Sequence, residues 1–439
     1  MGVNRILVVG FGRAGESVAR FYASKGYEII IFDDNPTKDL KLKAKEVSQS
    51  FISDVSEVNK IVKTLERIVV SPGVPFYHPI FEFKNSVDLV GELEVGYENT
   101  NSKLIAVTGT NGKTTTVSMI NTILKGAGFN VETAGNIGIS LIERASGNYD
   151  YLVVEASSFQ LYSIKNFLPF IGVFLNLTPD HLDWHKTMQN YLNAKANLFK
   201  NFTSNEIAVI NSDDQVSETL VKNVKNLISF GFLSEQFKAS NQSILVNGSD
   251  LLSVPKCISA AYSNVLNAAG ATAVCSVLGL NAKEIQSGLE AFKPLEHRCE
   301  VFLNLNGITF INDSKSTTPA STLAALYQRE NVILVMGGKN KNLDFKPIFE
   351  NSEGIKSLIA IGEAKDEIIT AAKNSFKNFY ISSAETMKDA VEIALNIAKP
   401  GDTVMLSPAC ASFDWYSNYI ERGNEFKKLI KEALNVKDN

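Results

Sequence analysis

Short β-branched runs alternate with helix-period segments along the whole chain, and this alternation restricts it to parallel sheets covered by helices. The runs are RILVVG, EIIIFDD, KLIAVTG, YDYLVVEASS, FIGVFLNL, EIAVIN, NVILVMGG, SLIAIG and TVMLSP. They fall into three groups, each opening with a strand and then a loop of the kind that holds a ligand. The joins lie near Gly91 to Ser102 and Phe292 to His297. At roughly 150 residues per domain, a length of 439 predicts three α/β domains, 1–92, 93–295 and 296–439. No repeat with a period of roughly 20–50 residues is present, which excludes a solenoid.

Composition narrows the function classes. Hydrophobic residues make up 45% and charged residues 21%, the usage of an ordinary globular protein. Lys plus Arg number 43 against 47 Asp plus Glu, a net charge of −4 with no basic block, so no surface for tracking nucleic-acid phosphates is expected. The N-terminus runs straight into a glycine turn with no cleavage-site pattern. The most apolar stretch, Ala268 to Leu280, is broken by Thr272, Ser276 and Gly279. Neither a signal peptide nor a membrane span is therefore expected, and the location is read as cytoplasmic. Cys257, Cys275, Cys299 and Cys410 are far apart and form no CxxC pair. This argues against a zinc site or disulfides and predicts four buried thiols.

Two glycine motifs point to phosphate. Gly10-Phe-Gly12-Arg13-Ala-Gly15 follows RILVV, and Asp33 comes at the end of the next strand. That spacing is a dinucleotide-binding fingerprint, with glycines for the pyrophosphate and an acid for a ribose. It licenses a nucleotide diphosphate more safely than NAD, and the same glycines also serve a tight turn. The second motif, Gly109-Thr110-Asn111-Gly112-Lys113-Thr114-Thr115, lies between KLIAV and a helix ending near Gly126. Helix N-terminal amides bind phosphate, Lys113 can reach the β- and γ-phosphates, and the Thr114 hydroxyl can ligate Mg²⁺. A strict Walker A motif has four residues between its glycines; only Thr110 and Asn111 intervene here, which indicates a particular P-loop branch.

Glu155 ends the strand YLVV, and the segment Asn176-Leu-Thr-Pro-Asp180-His181-Leu-Asp183-Trp-His185 follows the next strand. A carboxylate and an imidazole at C-terminal strand ends are placed to hold a metal and its nucleotide. His181 and His185 have i,i+4 spacing but no HExxH glutamate between them, so a zinc hydrolase is a poor reading and His185 is read as structural. Lys195 sits on the following helix, where its local sequence reads as an exposed lysine. In the third group, Asn312 to Thr317, Gly337 to Lys341 and Ser407 to Asp414 lie where strands end, while Glu296-His297-Arg298 does not. Asn340-Lys341 with Asp344 misses the guanine-reading N-K-x-D spacing by one residue.

As a set, TGTNGKTTT at 108–116, GNIG at 135–138, EASSFQL at 155–161, TPDHLDWH at 178–185, YLNAK at 191–195, NDSKST at 312–317 and SPACASFDWY at 407–416 resemble the Mur ligases over essentially the full chain. SSFQL and SPACASFD favour the branch that adds D-glutamate. The resemblance implies a Rossmann-like domain that binds a UDP-sugar and a central P-loop domain that binds ATP and Mg²⁺ at two sites. It also implies a C-terminal Rossmann-like domain that presents the amino acid. The implied substrates are UDP-N-acetylmuramoyl-L-alanine and D-glutamate, joined by an ATP-dependent monomer in peptidoglycan precursor synthesis.

By the same resemblance, Gly12, Arg13, Asp33, Ser71 and Gly73 frame the uridine diphosphate and Asn136 the muramoyl side. Gly109, Thr110, Asn111, Gly112, Lys113, Thr114 and Thr115 hold the ATP phosphates, and Asn267, Arg298 and Asp313 match further adenine-nucleotide contacts. Thr114, Glu155, His181 and a carbamylated Lys195, formed with CO₂, complete the metal shells; Lys113, His181 and Lys195 are the implied catalytic residues. Lys315, Thr317, Lys341, Ser412 and Tyr419 match positions around the incoming glutamate. Two departures bear on that pocket: Thr318-Pro319 stands where Asn is expected, and Tyr419 where Phe is expected.

Three other functions compete. A nicotinamide dehydrogenase leaves the P-loop and third domain idle. A P-loop switch hydrolyses ATP without an amino acid. A related Mur ligase or a folylpolyglutamate synthase-type ligase uses a different amino acid.

Overall fold

A computed structural model describes residues 4–48, 50–136, 138–222, 224–259, 262–375 and 378–436; Ile137 of the GNIG segment lies outside them. β1 (Arg5–Val9), β2 (Glu28–Phe32), β3 (Ser50–Ile52), β4 (Arg67–Val70) and β5 (Asp88–Gly91) form a parallel sheet in the order β3-β2-β1-β4-β5. The order reverses beside β1, and the loops after β1 and β4 flank the crevice that such a reversal opens.

The second sheet has nine strands. They are β6 (Lys103–Thr108), β7 (Val131–Gly135), β8 (Tyr151–Glu155), β9 (Ile171–Phe174), β10 (Ile207–Asn211), β11 (Asn226–Gly231), β12 (Phe237–Ala239), β13 (Ser243–Val246) and β14 (Asp250–Ser253). Their order is β14-β13-β12-β11-β10-β9-β6-β8-β7. Leu104 to Val107 and Leu152 to Val154 are buried, as expected of parallel strands covered by helices on both faces. The third sheet joins β15 (Glu300–Leu305), β16 (Ile308–Asn312), β17 (Val332–Gly337), β18 (Ile355–Ile361), β19 (Tyr380–Ser383) and β20 (Thr403–Leu406) in the order β15-β16-β20-β17-β18-β19.

Parallel pairing does not extend to every edge. β12 and β13 pair antiparallel, as do β15 and β16. Asn306 and Gly307, with φ of 52° and 76°, supply the left-handed turn between β15 and β16, and Asn-Gly is the pair that hairpin turns favour. Contacts divide the chain into two compact units. One comprises Met1–Ala239, Ile244–Leu252 and Asn267–Ala291; the other comprises Ser240–Ser243, Ser253–Leu266 and Phe292–Asn439. The expectation of four buried thiols is corrected, because Cys257 is exposed while Cys275, Cys299 and Cys410 are buried. Among the described residues, no helix is long and apolar enough to cross a membrane.

Candidate nucleotide site

The phosphate loop leaves β6 and enters the helix Lys113–Gly126 at Gly112, whose φ of 87° lies in the left-handed region. A Cβ there would also collide with the Asn267 carboxamide, so backbone angle and space both require glycine. This contact brings Asn267 to the loop from a distant helix. Asn176 holds the loop from the other side: its backbone oxygen accepts from Thr110 N–H at 2.9 Å and its Oδ1 from Asn111 N–H at 2.9 Å. The Tyr191 hydroxyl donates to Thr110 Oγ1 at 3.2 Å.

Four cation and metal candidates, Thr114, Glu155, Lys113 and Lys195, converge here. Thr114 Oγ1 donates to Glu155 Oε2 at 2.7 Å, and Asn136 Nδ2 donates to Glu155 Oε1 at 3.1 Å. Glu155 itself is buried. Lys113 Nζ donates to Gly109 O at 2.8 Å and Thr110 O at 2.9 Å. Lys195 Nζ donates to the same Gly109 O at 2.7 Å and lies 4.6 Å over the Tyr191 ring. The helix Met188–Ala196 turns this lysine inward, so only 1% of it is exposed, contrary to the exposed-lysine reading of its local sequence. Burial first, and then the charge of Lys113, push the Lys195 amine well below the usual lysine range.

The two histidines of the TPDHLDWH segment separate. His181 adopts φ 55°, lies 3.3 Å from Asp180 Oδ2, and packs edge-on to Phe159. His185 is buried, with Nε2 2.9 Å from Ser158 Oγ and its ring stacked on Phe159. Burial, followed by the charges of Lys195 and His181, lowers His185 to about 4. A neutral ring wedged between aromatic neighbours is a packing element, in line with the structural reading.

At the first sheet, a cavity of about 410 Å³ is lined by Gly12, Arg13, Asp33, Ser71 and Gly73 among others. Asp33 Oδ2 accepts from Phe11 N–H at 3.0 Å, and Ser71 Oγ donates to Gly10 O at 2.5 Å. Five of the six residues assigned to the UDP-substrate thus meet in one crevice. Asn136 stands apart from that lining, bonded to Glu155.

In the second unit, the Lys315 Nζ lies 4.2 Å over the Tyr419 ring. Thr317 is half-buried, Ser412 is buried and Lys341 is exposed. Asp313 is buried and accepts from Cys299 N–H at 3.0 Å and Ser407 Oγ at 2.7 Å; burial raises its carboxyl. Arg298 is half-buried on a turn closed by its N–H to Leu295 O at 3.3 Å.

Sequence reasoning assigned no role to Arg422, of which 1% is exposed. Its guanidinium donates to Ser314 Oγ and O, Ala411 O, Cys410 O and Gly337 O at 2.9–3.4 Å, tying together the ends of β16, β17 and β20. The available signal was its place in an i, i+4, i+8 stripe with Phe426 and Ile430, both buried.

A strand–loop–helix phosphate cradle on a mainly parallel sheet, accompanied by two further sheets with ligand-type edges, defines a multidomain P-loop nucleotide-dependent protein. The sequence matches the Mur ligase MurD-like N-terminal domain over 4–90, the Mur ligase middle domain over 107–275 and the Mur ligase glutamate ligase domain over 297–410. The chain belongs to the Mur ligase family. It is 38% identical to the UDP-N-acetylmuramoylalanine--D-glutamate ligase of Alkaliphilus metalliredigens and 37% identical to that of Pelotomaculum thermopropionicum, with 97% of each chain covered in both cases. Among solved structures, the MurF ligase of Thermotoga maritima in complex with ADP superposes with a TM-score of 0.65 at 17% identity, covering 99% of this chain and 96% of that one. The pseudomurein peptide ligase type C of Methanothermus fervidus superposes at 0.61 with 20% identity, covering 98% and 100%.

Proposed function

We propose that this chain is an ATP-dependent ligase that forms the amide bond between UDP-N-acetylmuramoyl-L-alanine and D-glutamate in cytoplasmic peptidoglycan precursor synthesis. The observation that carries the reading is the meeting of Lys113 and Lys195 on one carbonyl, Gly109 O, within a loop whose helix places Thr114 on Glu155. The substrates are those in the names of the full-length relatives.

A carboxylate is a poor electrophile and must be activated before an amine can attack it. The alanyl carboxylate attacks the γ-phosphorus of ATP, giving an acyl phosphate and ADP. The glutamate amine then attacks the acyl carbon, and the tetrahedral intermediate expels phosphate. Lys113 stabilises negative charge on the transferring phosphoryl group, where pre-positioned charge contributes most. Thr114 and Glu155 offer adjacent oxygens, the donor type that Mg²⁺ takes; because Mg²⁺ keeps water and phosphate ligands, one protein carboxylate suffices. When bound there, Mg²⁺ would neutralise phosphate charge. His181 and Lys195 complete the proposed donor set, Lys195 as the carbamate formed when its neutral amine adds CO₂. Its burial favours the deprotonated amine that this step needs.

In the C-terminal domain, Lys315, Thr317, Lys341, Ser412 and Tyr419 receive D-glutamate, whose two carboxylates call for cations and hydroxyl donors. The expected result is phosphate release that requires both the UDP-substrate and D-glutamate. ATP hydrolysis indifferent to either would indicate a switch, and selective turnover of a different amino acid would assign the chain to a related ligase.

A further inference from the structure

The phosphate loop has only Thr110 and Asn111 between Gly109 and Gly112, and both are gripped by the segment after β9. The grip on Asn111 is made by a side chain. Asn176 Oδ1 accepts from Asn111 N–H at 2.9 Å while Asn176 Nδ2 donates to Asn111 O at 3.1 Å. Thr110 N–H, by contrast, bonds the Asn176 main chain, and Thr110 Oγ1 exchanges two hydrogen bonds with the Thr178 backbone at 3.0 and 3.1 Å. The gripping segment is itself braced from β10. Asn211 Nδ2 donates to Leu175 O at 2.9 Å, and Asp214 Oδ2 accepts from Leu177 N–H at 2.8 Å.

We propose that Asn176 is a positioning residue for the nucleotide: its carboxamide clips the Asn111 peptide and sets the loop in its phosphate-binding shape before ATP arrives. This rests on the reading of 109–115 as the ATP-phosphate loop. A carboxamide carries one acceptor and two donors, and so can match both polar groups of a peptide at once; a carboxylate can match only the N–H. The clip engages the Asn111 amide within the protein, which directs phosphate to the amides of the helix's first turn, where intrahelical partners are lacking. A loop ordered in advance loses less conformational freedom when ATP binds.

The test compares wild type, Asn176→Ala, Asn176→Asp and Lys113→Ala. Amide hydrogen exchange is read in nucleotide-free protein, and the binding of ATP and of the UDP-substrate is read by calorimetry. In Asn176→Ala, exchange at Asn111 should rise at least about tenfold while exchange at Thr110, bonded to the main chain, stays near its wild-type rate. ATP affinity should fall about tenfold with UDP-substrate affinity unchanged, as lost hydrogen bonds to one loop predict. Asn176→Asp keeps the acceptor and should restore Asn111 protection, which preserves the test should the alanine variant fold poorly. Unchanged Asn111 exchange in Asn176→Ala would overturn the clip. So would faster exchange with unchanged ATP affinity, provided that Lys113→Ala weakens ATP. Unchanged ATP affinity in Lys113→Ala as well would overturn the loop assignment itself.

Discussion

Lys195 in the central domain and Arg422 in the C-terminal domain are both buried cations that donate to backbone carbonyls, yet their surroundings give them opposite chemistry. Lys195 has one carbonyl partner, Gly109 O, with Lys113 on the same oxygen. Its ammonium is poorly compensated, and its amine is driven well below the usual range. Arg422 engages two oxygens of Ser314 and the carbonyls of Gly337, Cys410 and Ala411. Burial lowers it only to about 10, so it keeps its charge at neutral pH. A buried base becomes reactive when its hydrogen bonds are few, and becomes a structural tie when a rigid fork of donors is filled.

The largest expected effect tests the reactive side. Lys195→Ala should lower ligation by about 10²-fold or more, since it removes a group at the transferring charge. Small carboxylates such as acetate should restore part of the activity by filling the vacated volume with an anion. Rescue by methylamine and not by acetate would show that a cation is missing and end the carbamate reading.

On the structural side, Arg422→Ala removes the donor from buried carbonyls such as Ser314 O and Cys410 O and should cost about 3 kcal/mol or more of stability, measured by urea unfolding. Arg422→Lys should recover little of it, because an ammonium has three donors and no planar fork. Full recovery by lysine would mean that charge, and not geometry, joins these loops.

The smallest effect concerns a third buried base. His185 is held neutral, with a folded value of about 4 against 6.5 for the free group. Its contribution is fully present above about pH 6.5 and is lost as pH falls towards about 4, because the unfolded chain takes up the proton first. The loss should stay below that of Arg422→Ala. Unfolding free energies measured from pH 7.5 to 4.5 should therefore slope more steeply for wild type than for His185→Phe. Equal slopes would place the protonation elsewhere.

Much of the scaffold was legible because short-range chemistry specifies it. The β-branched runs became β1, β2, β6, β8, β9, β10, β17, β18 and β20, and the glycine loops sit at strand-to-helix turns whose backbone angles favour glycine. β13 lies next to an edge and β15 at one, while β12, third from its edge, is only Phe237–Ala239; their antiparallel pairing follows from turns rather than from burial. Asn306-Gly307, the pair that turns β15 into β16, lies outside the apolar runs.

Residue order alone specifies the loop chemistry, the strand ends on which candidate ligands sit, and a membership readable from motifs such as TGTNGKTTT and SPACASFD. Which of these residues meet is set by the folded chain. Asn176 clips Asn111 from 65 positions away, and Arg422 reaches Ser314 across 108. It also decided that Lys195 is buried and His185 neutral. The reason is physical: hydrogen-bond partners and desolvation are set by what packs around a group in space, and a local residue pattern fixes neither for contacts that the chain makes only after it has folded.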